Sequence, residues 1–348
     1  MEIHDLLLMC IQKDASDLHV TDNEPPILRI DGRLMRSSLE VLHKQDLKRM
    51  IYSVLSNNQK EIFERELELD FSLALPDLDR FRVNIHLQKG SVEAAFRRIP
   101  LEIPGIDTLG LPKIAAELAR RPNGLVLVTG PTGMGKTTTL ASMIDLINNE
   151  KECMIMCIED PIEFIHNNKK SIIKQREVYS DTHSFAEALR HTLRQDPNVI
   201  VVGEMRDLET IATALTAAET GHLVLATLHT PDAPQTVSRI IDVFPPHQQQ
   251  QIRFQLSDCL QGVISQLLLP HASGKGRVLA TEVMTATSGI RNLIREQEID
   301  QIPTLMQTGS QHGMHTMDKC LKELFRKEQI TLDMAMSKVK NKEEFKQL

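Results

Sequence analysis

The sequence contains no tryptophan, two tyrosines and ten phenylalanines among its 348 residues. So few rings are a poor basis for the stacked-base platforms of single-strand binders, which weighs against a helicase. Positive charge is not in excess either. Lys and Arg number 40 against 47 Asp and Glu, a net charge of −7, and this argues against sequence-independent binding to nucleic acid through its phosphates. No nucleic-acid partner is expected, although a local basic patch is compatible with that balance. Long apolar runs are also missing: residues 125–128 and 267–269 fall far short of the roughly 18 needed to span a bilayer. Residues 1–10 carry Glu2, His4 and Asp5 where a signal peptide has cations, so no export signal is expected and the chain reads as cytoplasmic. Five cysteines, an odd number, fit reduced thiols better than a disulfide framework. Cys153 and Cys157 lie in the apolar run CMIMCI without a second pair, and they read as core residues rather than zinc ligands.

What is present is ordinary globular composition, 41% hydrophobic and 25% charged, in a chain long enough for two domains or three. Residues 17–99 show short alternating segments, with an Asp-Gly hairpin turn at Ile30-Asp31-Gly32-Arg33 and helical stretches at 44–55 and 59–67. Along residues 80–87, alternation buries Phe81, Val83, Ile85 and Leu87 and presents Arg80, Arg82 and Asn84 on the other face. This pattern predicts a small α+β domain over residues 1–99. Three prolines and two glycines in residues 100–112 predict a linker. Beyond it, apolar runs at 125–129, 154–159, 199–203 and 223–227 do not alternate, as suits parallel strands covered on both faces. Helical patterns separate them at 136–147, at 185–195 with Ser184 and Glu187 as a capping box, and at 208–220 closed by Gly221. An α/β doubly wound sheet is therefore expected over residues 113–348, with a mostly helical tail from about residue 233 that includes helices at 247–260 and 317–327. No internal repeat is evident.

The strongest motif is Gly130-Pro131-Thr132-Gly133-Met134-Gly135-Lys136-Thr137, followed by Thr138, between an apolar strand and a helix. Its glycines let backbone N–H groups curl around phosphate at the positive end of a helix. Lys136 would bridge the outer phosphates of ATP and the Thr137 hydroxyl would ligate Mg²⁺. Open α/β sheets bind ligands at the carboxyl ends of their strands, and each later strand delivers polar groups there: Glu159, Asp160 and Glu163, then Glu204, then His229. Glu204 follows a hydrophobic run and is assigned to the metal and its waters, and Glu163 to polarising the attacking water. Glu159 and Asp160 read equally well as turn caps before Pro161. His229 lies where a γ-phosphate sensor would lie, whereas His222 starts the same strand and projects at its far end. Arg82 and Arg97, read from the residues alone, are a solvated strand face.

Five segments together resemble the secretion ATPases of the GSPII E type: GPTGMGKTT, the Asp-box-like IEDPIEF, the Walker B-like RQDPNVIVVGEMRDLET, the His-box-like TAAETGHLVLATLHT and, in the tail, IRNLIRE. The resemblance covers nearly the whole chain, and IRNLIRE is similar to the signature of the type IV pilus retraction branch. It implies an N-terminal PAS-like domain and a RecA-like ATPase domain, with ATP between the two, assembled as a hexameric ring. The function it implies is ATP hydrolysis that drives pilin disassembly and twitching motility. The implied partners are an inner-membrane pilus platform protein, at the cytoplasmic face of that membrane, and a PilU-like paralogue. Carried over by position, Lys136 and Thr137 hold phosphate and metal, Glu204 is the Walker B acid, Glu163 the catalytic glutamate and His229 the His-box residue. Arg82 of RFRVN and Arg97 of FRRIP match the family's phosphate-contacting arginines. An extension motor or type II secretion ATPase would be expected to carry a further N-terminal domain and a four-cysteine zinc element. Two positions depart from the pattern. Met134 replaces the usual serine, with its side chain expected to turn away from phosphate, and Ser288-Gly289 replaces Pro-Ala, where a helical glycine costs up to about 1 kcal/mol.

Overall fold

A computed structural model describes residues 2–30, 32–75, 79–99 and 102–346. The chain forms two compact units, Met1–Glu102 with Glu163–Ile165, and Ile103–Ile162 with His166–Leu348. Of the expected linker, Pro100 and Leu101 lie outside the described residues. Ile106 and Leu111 within it are buried in a core of the second unit.

The first unit contains one six-stranded sheet. Its strands are β1 (Asp17–Val20), β2 (Ile27–Ile30), β3 (Arg33–Arg36), β4 (Glu68–Ala74), β5 (Arg80–Gln88) and β6 (Ser91–Ile99), in the order β3-β2-β1-β6-β5-β4. All five pairings are antiparallel. The β2–β3 hairpin closes with Ile30 opposite Arg33, and Asp31 of its expected turn lies outside the described residues. Helix Ile3–Gln12 buries Ile3, Leu6, Leu7 and Cys10, one stripe at helical spacing. Helix Asn57–Glu66 starts at a Ser56–Gln59 capping box. Phe81, Val83 and Ile85 are fully buried as the alternation requires, but Leu87 is 41% exposed. Its place near the hairpin turn explains the difference: helix Lys44–Ser53 packs on β6, burying Val92, and leaves the end of β5 uncovered. All four residues of β3, at the sheet's edge, are exposed.

The second unit holds a seven-stranded sheet: β7 (Gly124–Thr129), β8 (Met154–Glu159), β9 (Ile172–Glu177), β10 (Val199–Val202), β11 (Leu223–Leu228), β12 (Leu260–Pro270) and β13 (Arg277–Thr285). The order is β13-β12-β7-β11-β10-β8-β9, parallel throughout except for β13. Alternate residues of one strand enter different cores: Leu125 and Leu127 join one cluster, Val126 and Val128 another. A strand covered twice needs no polar alternation, which is why these runs read as continuous. Helices Lys136–Glu150, Phe185–Thr192 and Leu208–Glu219 stand where the patterns predict. Ser184 accepts the Glu187 N–H at 3.1 Å, and Gly221 takes φ 104° just beyond the last.

Two features differ from the sequence reading. The segment beyond residue 233 is not only helical, because β12 and β13 extend the sheet there. LQGVISQLLLP is largely buried on both faces, and its short apolar runs do not distinguish buried strand from helix. Strand β9 was not anticipated, since IIKQRE lies at the sheet edge, where one polar side suffices. Helices Pro246–Cys259 and Met317–Arg326 lie close to the expected bounds. Cys157 is fully buried, which pushes its thiol well up, and Cys153 lies 3.2 Å from the Ser171 hydroxyl.

Candidate functional site

The loop from Gly130 to Lys136 joins β7 to the first turn of helix Lys136–Glu150. Gly130, Gly133 and Gly135 have φ of 137°, 78° and 82°, so side chains are disfavoured there and the backbone can curl. At Gly130 a Cβ would also lie 2.4 Å from the Gln266 carbonyl oxygen. Lys136 is buried, and its Nζ donates to the Gly130 and Pro131 carbonyls at 2.7 and 3.0 Å. The ammonium is thus held within the curl of the loop. Thr137 and Thr138 follow on the helix, both half-buried, while Pro131, Thr132 and Gly133 are exposed. Met134 turns toward β12, its Sδ accepting the Leu268 N–H at 3.2 Å.

Strand order explains which other groups arrive. β11 lies beside β7 and β10 beside β11, so their carboxyl ends deliver His229 and Glu204 to the loop's edge of the sheet. His229 Nδ1 is 3.4 Å from Lys136 Nζ and 3.5 Å from Thr132 Oγ1, and Nε2 is 2.8 Å from Glu204 Oε1. An ammonium can only donate, so Nδ1 accepts and Nε2–H donates to the carboxylate. The result is a chain Lys136–His229–Glu204. Gly203, just before Glu204, has the Ile158 carbonyl 3.2 Å from where a Cβ would stand, and its own carbonyl accepts from the Thr227 hydroxyl. These contacts fix the turn that aims Glu204.

Arg206 went unassigned in the sequence. Its Nε lies 2.6 Å from Glu204 Oε1, and that hydrogen-bonded carboxylate raises the guanidinium pKa further. Arg239 was also missed. Together with Thr132, Glu204, Arg206 and His229 it lines a cleft of about 550 Å³. The arginine two residues after the Walker B-like acid was a usable signal; Arg239, on helix Ala233–Asp242, offered none.

The remaining candidates belong to the first unit. Glu163 follows β8 in a loop, half-buried, and groups with the first unit. Arg82 and Arg97 are directly opposite on β5 and β6, both exposed on the sheet face away from the core. Facing cations repel, and Asp17, opposite Arg97 on β1, relieves this with an Oδ1 to Nε distance of 3.0 Å. Arg98, by contrast, is half-buried and pairs with buried Asp79 and exposed Asp14. Among the described residues no group of three His, Cys, Asp or Glu forms a metal cluster, and no helix is long and apolar enough to cross a membrane.

In the tail, helix Ser288–Arg295 forms despite its glycine, with the Thr287 hydroxyl accepting the Ile290 N–H. A Cβ on Gly289 would lie 3.1 Å from Leu305 Cδ1, so glycine leaves room for that leucine. Arg291 and Arg295 do not extend outward. They cap helix Pro246–Cys259, Arg291 on the Ser257 and Asp258 carbonyls and Arg295 on the Asp258 carboxylate at 2.5 Å.

Residues 2–342 match the family described as type II/IV secretion system protein. The chain is 48% identical over 345 residues to the type IV pilus retractation ATPase PilT of Pseudomonas aeruginosa, covering 99% of this chain and 100% of that one. It is 48% identical over 318 residues to a twitching motility protein of Neisseria gonorrhoeae, covering 91% and 85%. The crystal structure of the pilus retraction motor PilT with bound ADP superposes with a TM-score of 0.93 at 48% identity, covering 100% of each chain.

Proposed function

From the premise that the chain belongs to the type II/IV secretion system protein family, we propose that it is an ATPase that drives type IV pilus retraction and twitching motility. The observation that carries this reading is the buried Lys136, held in a glycine-shaped loop and linked through His229 to Glu204, in a chain that matches a retraction ATPase along its whole length.

The loop fits a nucleotide. It combines backbone N–H groups at a helix N-terminus, an ammonium held inside the curl and glycines whose φ values suit close approach. Gly130, Pro131, Thr132, Gly133, Met134, Gly135, Lys136, Thr137 and Thr138 would cradle the phosphates of ATP. Thr137 and Glu204 would hold Mg²⁺, an oxygen-seeking cation that suits a hydroxyl and a carboxylate. Bound there, the metal supplies charge that offsets the negative charge on the phosphoryl oxygens. Glu163 would polarise the attacking water. His229 would read the outer phosphate by turning its Nε2–H from Glu204 toward a phosphate oxygen. Arg82 and Arg97 offer a pair of guanidinium groups that match phosphate oxygens.

The working assembly is a homo-hexamer with a PAS-like first domain (1–99), a linker (100–112) and a RecA-like ATPase domain (113–348). It acts in the cytoplasm, at the inner-membrane platform protein of the pilus, with a PilU-like paralogue as a second partner. The test is surface pilus load and twitching in a deletion strain complemented with wild type or Glu204→Gln. Abundant pili without movement, rescued by wild type alone, is the expected result; absent pili would overturn retraction, and rescue by Glu204→Gln would overturn the catalytic role.

A further inference from the structure

We propose that Gln266 on β12 is a positioning residue for the phosphate loop, holding its helix through Thr139 and tying it through Thr281 to the tail segment of His315 and Cys320. The proposal rests on the reading of that loop as a nucleotide site.

Strand β12 outruns its neighbour. Its last pairing with β7 is Ser265 opposite Thr129, where the two hydroxyls meet at 2.8 Å, and it then continues beside the loop. Contacts follow at three levels. The Gln266 carbonyl lies so close to residue 130 that a Cβ there would stand 2.4 Å from it, so glycine at this position is demanded by β12 as well as by any ligand. The Leu268 N–H donates to Met134 Sδ at 3.2 Å, and its side chain lies 3.3 Å from where a Cβ on Gly135 would be. The Gln266 amide donates to Thr139 Oγ1 at 2.7 Å, one turn into the helix that the loop begins. Gln266 is 1% exposed and Thr139 2%, so this bond forms in a dry site where its loss is not made good by water.

The far side of the same residue leads to the tail. Gln266 stands opposite Thr281 on β13. The Thr281 hydroxyl meets His315 Nε2 at 3.0 Å, and its N–H donates to Cys320 Sγ at 3.4 Å. His315 leads into helix Met317–Arg326, and Cys320 is part of it. The β12–β13 pairing thus joins two sets of polar contacts, Gln266 with Thr139 on the loop's helix and Thr281 with His315 and Cys320 in the tail. Buried amides in this role fix one arrangement, because an alternative would strand polar atoms away from water. Gln266 Oε1 already lacks a hydrogen-bond partner, so the amide is held in place by the one bond to Thr139.

The full-length protein tests this with Thr139→Val, which deletes the hydroxyl at constant shape, Thr139→Ser, which restores it, and Gln266→Leu. Affinity for a fluorescent ADP analogue and hydrogen exchange with and without ADP are measured at residues 130–139, 279–284 and 315–326. Thr139→Val and Gln266→Leu are expected to weaken ADP binding about tenfold, the effect of one buried hydrogen bond. Thr139→Ser should stay within about twofold of wild type. ADP-induced protection at residues 315–326 should vanish in the first two variants and persist in the third. Wild-type affinity, or undiminished protection at 315–326, in a folded Thr139→Val protein overturns the proposal, and this variant decides the matter if Gln266→Leu does not fold. Should wild type bind no ADP, the nucleotide reading falls and the bracket is judged without ligand: faster exchange at 130–139 in Thr139→Val than in Thr139→Ser supports it, and equal exchange overturns it.

Discussion

The two sheets solve opposite problems. In the antiparallel sheet of the first unit, β5 buries one face and leaves the other to water, so that strand alternates and the exposed face holds the facing Arg82 and Arg97 pair. In the parallel sheet of the second unit, the central strands β7, β10 and β11 are buried on both faces, so they are almost uniformly apolar and polar groups gather at the edge where they end. A covered sheet leaves polar groups to the ends of its strands, and α/β sheets take their ligands at the rim of carboxyl ends. An open sheet can spread them along a face.

That contrast can be broken at the rim first. Lys136→Ala or Glu204→Gln should lower ATP turnover by at least about 10² to 10³ while circular dichroism stays native, since the change removes charge at the phosphates and no core contact. Turnover near wild type in either variant would remove the rim from the reaction. Core substitutions come next. Leu225→Ala in the covered sheet and Val83→Ala in the open one should both destabilise in urea, Leu225→Ala by about 2 to 5 kcal/mol and Val83→Ala by less. Arg82→Ala, one residue away from Val83, should change stability by no more than about 0.5 kcal/mol. Equal effects at Val83 and Arg82 would deny that the first sheet has an open face.

Histidines sharpen the comparison through pH. His166, 9% exposed beyond β8, is held by burial down to about 4, whereas half-buried His19 on β1 is lowered less far. A histidine whose folded pKa is depressed contributes full stability above its unfolded value of 6.5. That stability is lost as pH falls from 6.5 toward 4, because the unfolded chain takes up the proton first. The loss amounts to about 3 kcal/mol over this window. Urea midpoints at pH 7.5 and 5 should converge in His166→Gln and move less in His19→Gln; an unaltered slope in His166→Gln would show that the site is open to water. The smallest effect is expected at Met134→Ser, which loses the weak Leu268 N–H contact to sulfur and should change turnover by less than about threefold.

Legibility followed the same division. The α/β class, the strand-loop-helix at Gly130 to Lys136, and the elements around Glu204 and His229 were readable because each rests on local pattern, a continuous apolar run followed by polar groups. Which strands are neighbours was not readable, and so neither was the chain from Lys136 through His229 to Glu204, which exists because β7, β11 and β10 adjoin. β12 escaped because an apolar run of that length fits a buried strand or a helix equally. Leu87 obeyed alternation yet faces water, since alternation says which side a residue takes and not how far the covering helix extends. Arg206 escaped because a cation after an acidic residue is common on surfaces, and only the turn at Gly203 folds it back onto Glu204. The arginines of IRNLIRE cap a helix that is distant in sequence, a role set by tertiary packing alone.

Strand β3 closes the first sheet with unpaired backbone on its outer side and two apolar side chains, Leu34 and Met35, more than half exposed. Such an edge invites another strand to join it, the first step of ordered aggregation. Arg33 and Arg36 bracket the two apolar residues and are themselves exposed, and Arg36 is braced by Glu24 at 2.7 Å. A second copy approaching edge to edge would bring these guanidinium groups against their own counterparts. The brevity of β3 and the charges at its ends act as gatekeepers, so four residues that contribute almost nothing to the core guard this edge against the addition of another strand.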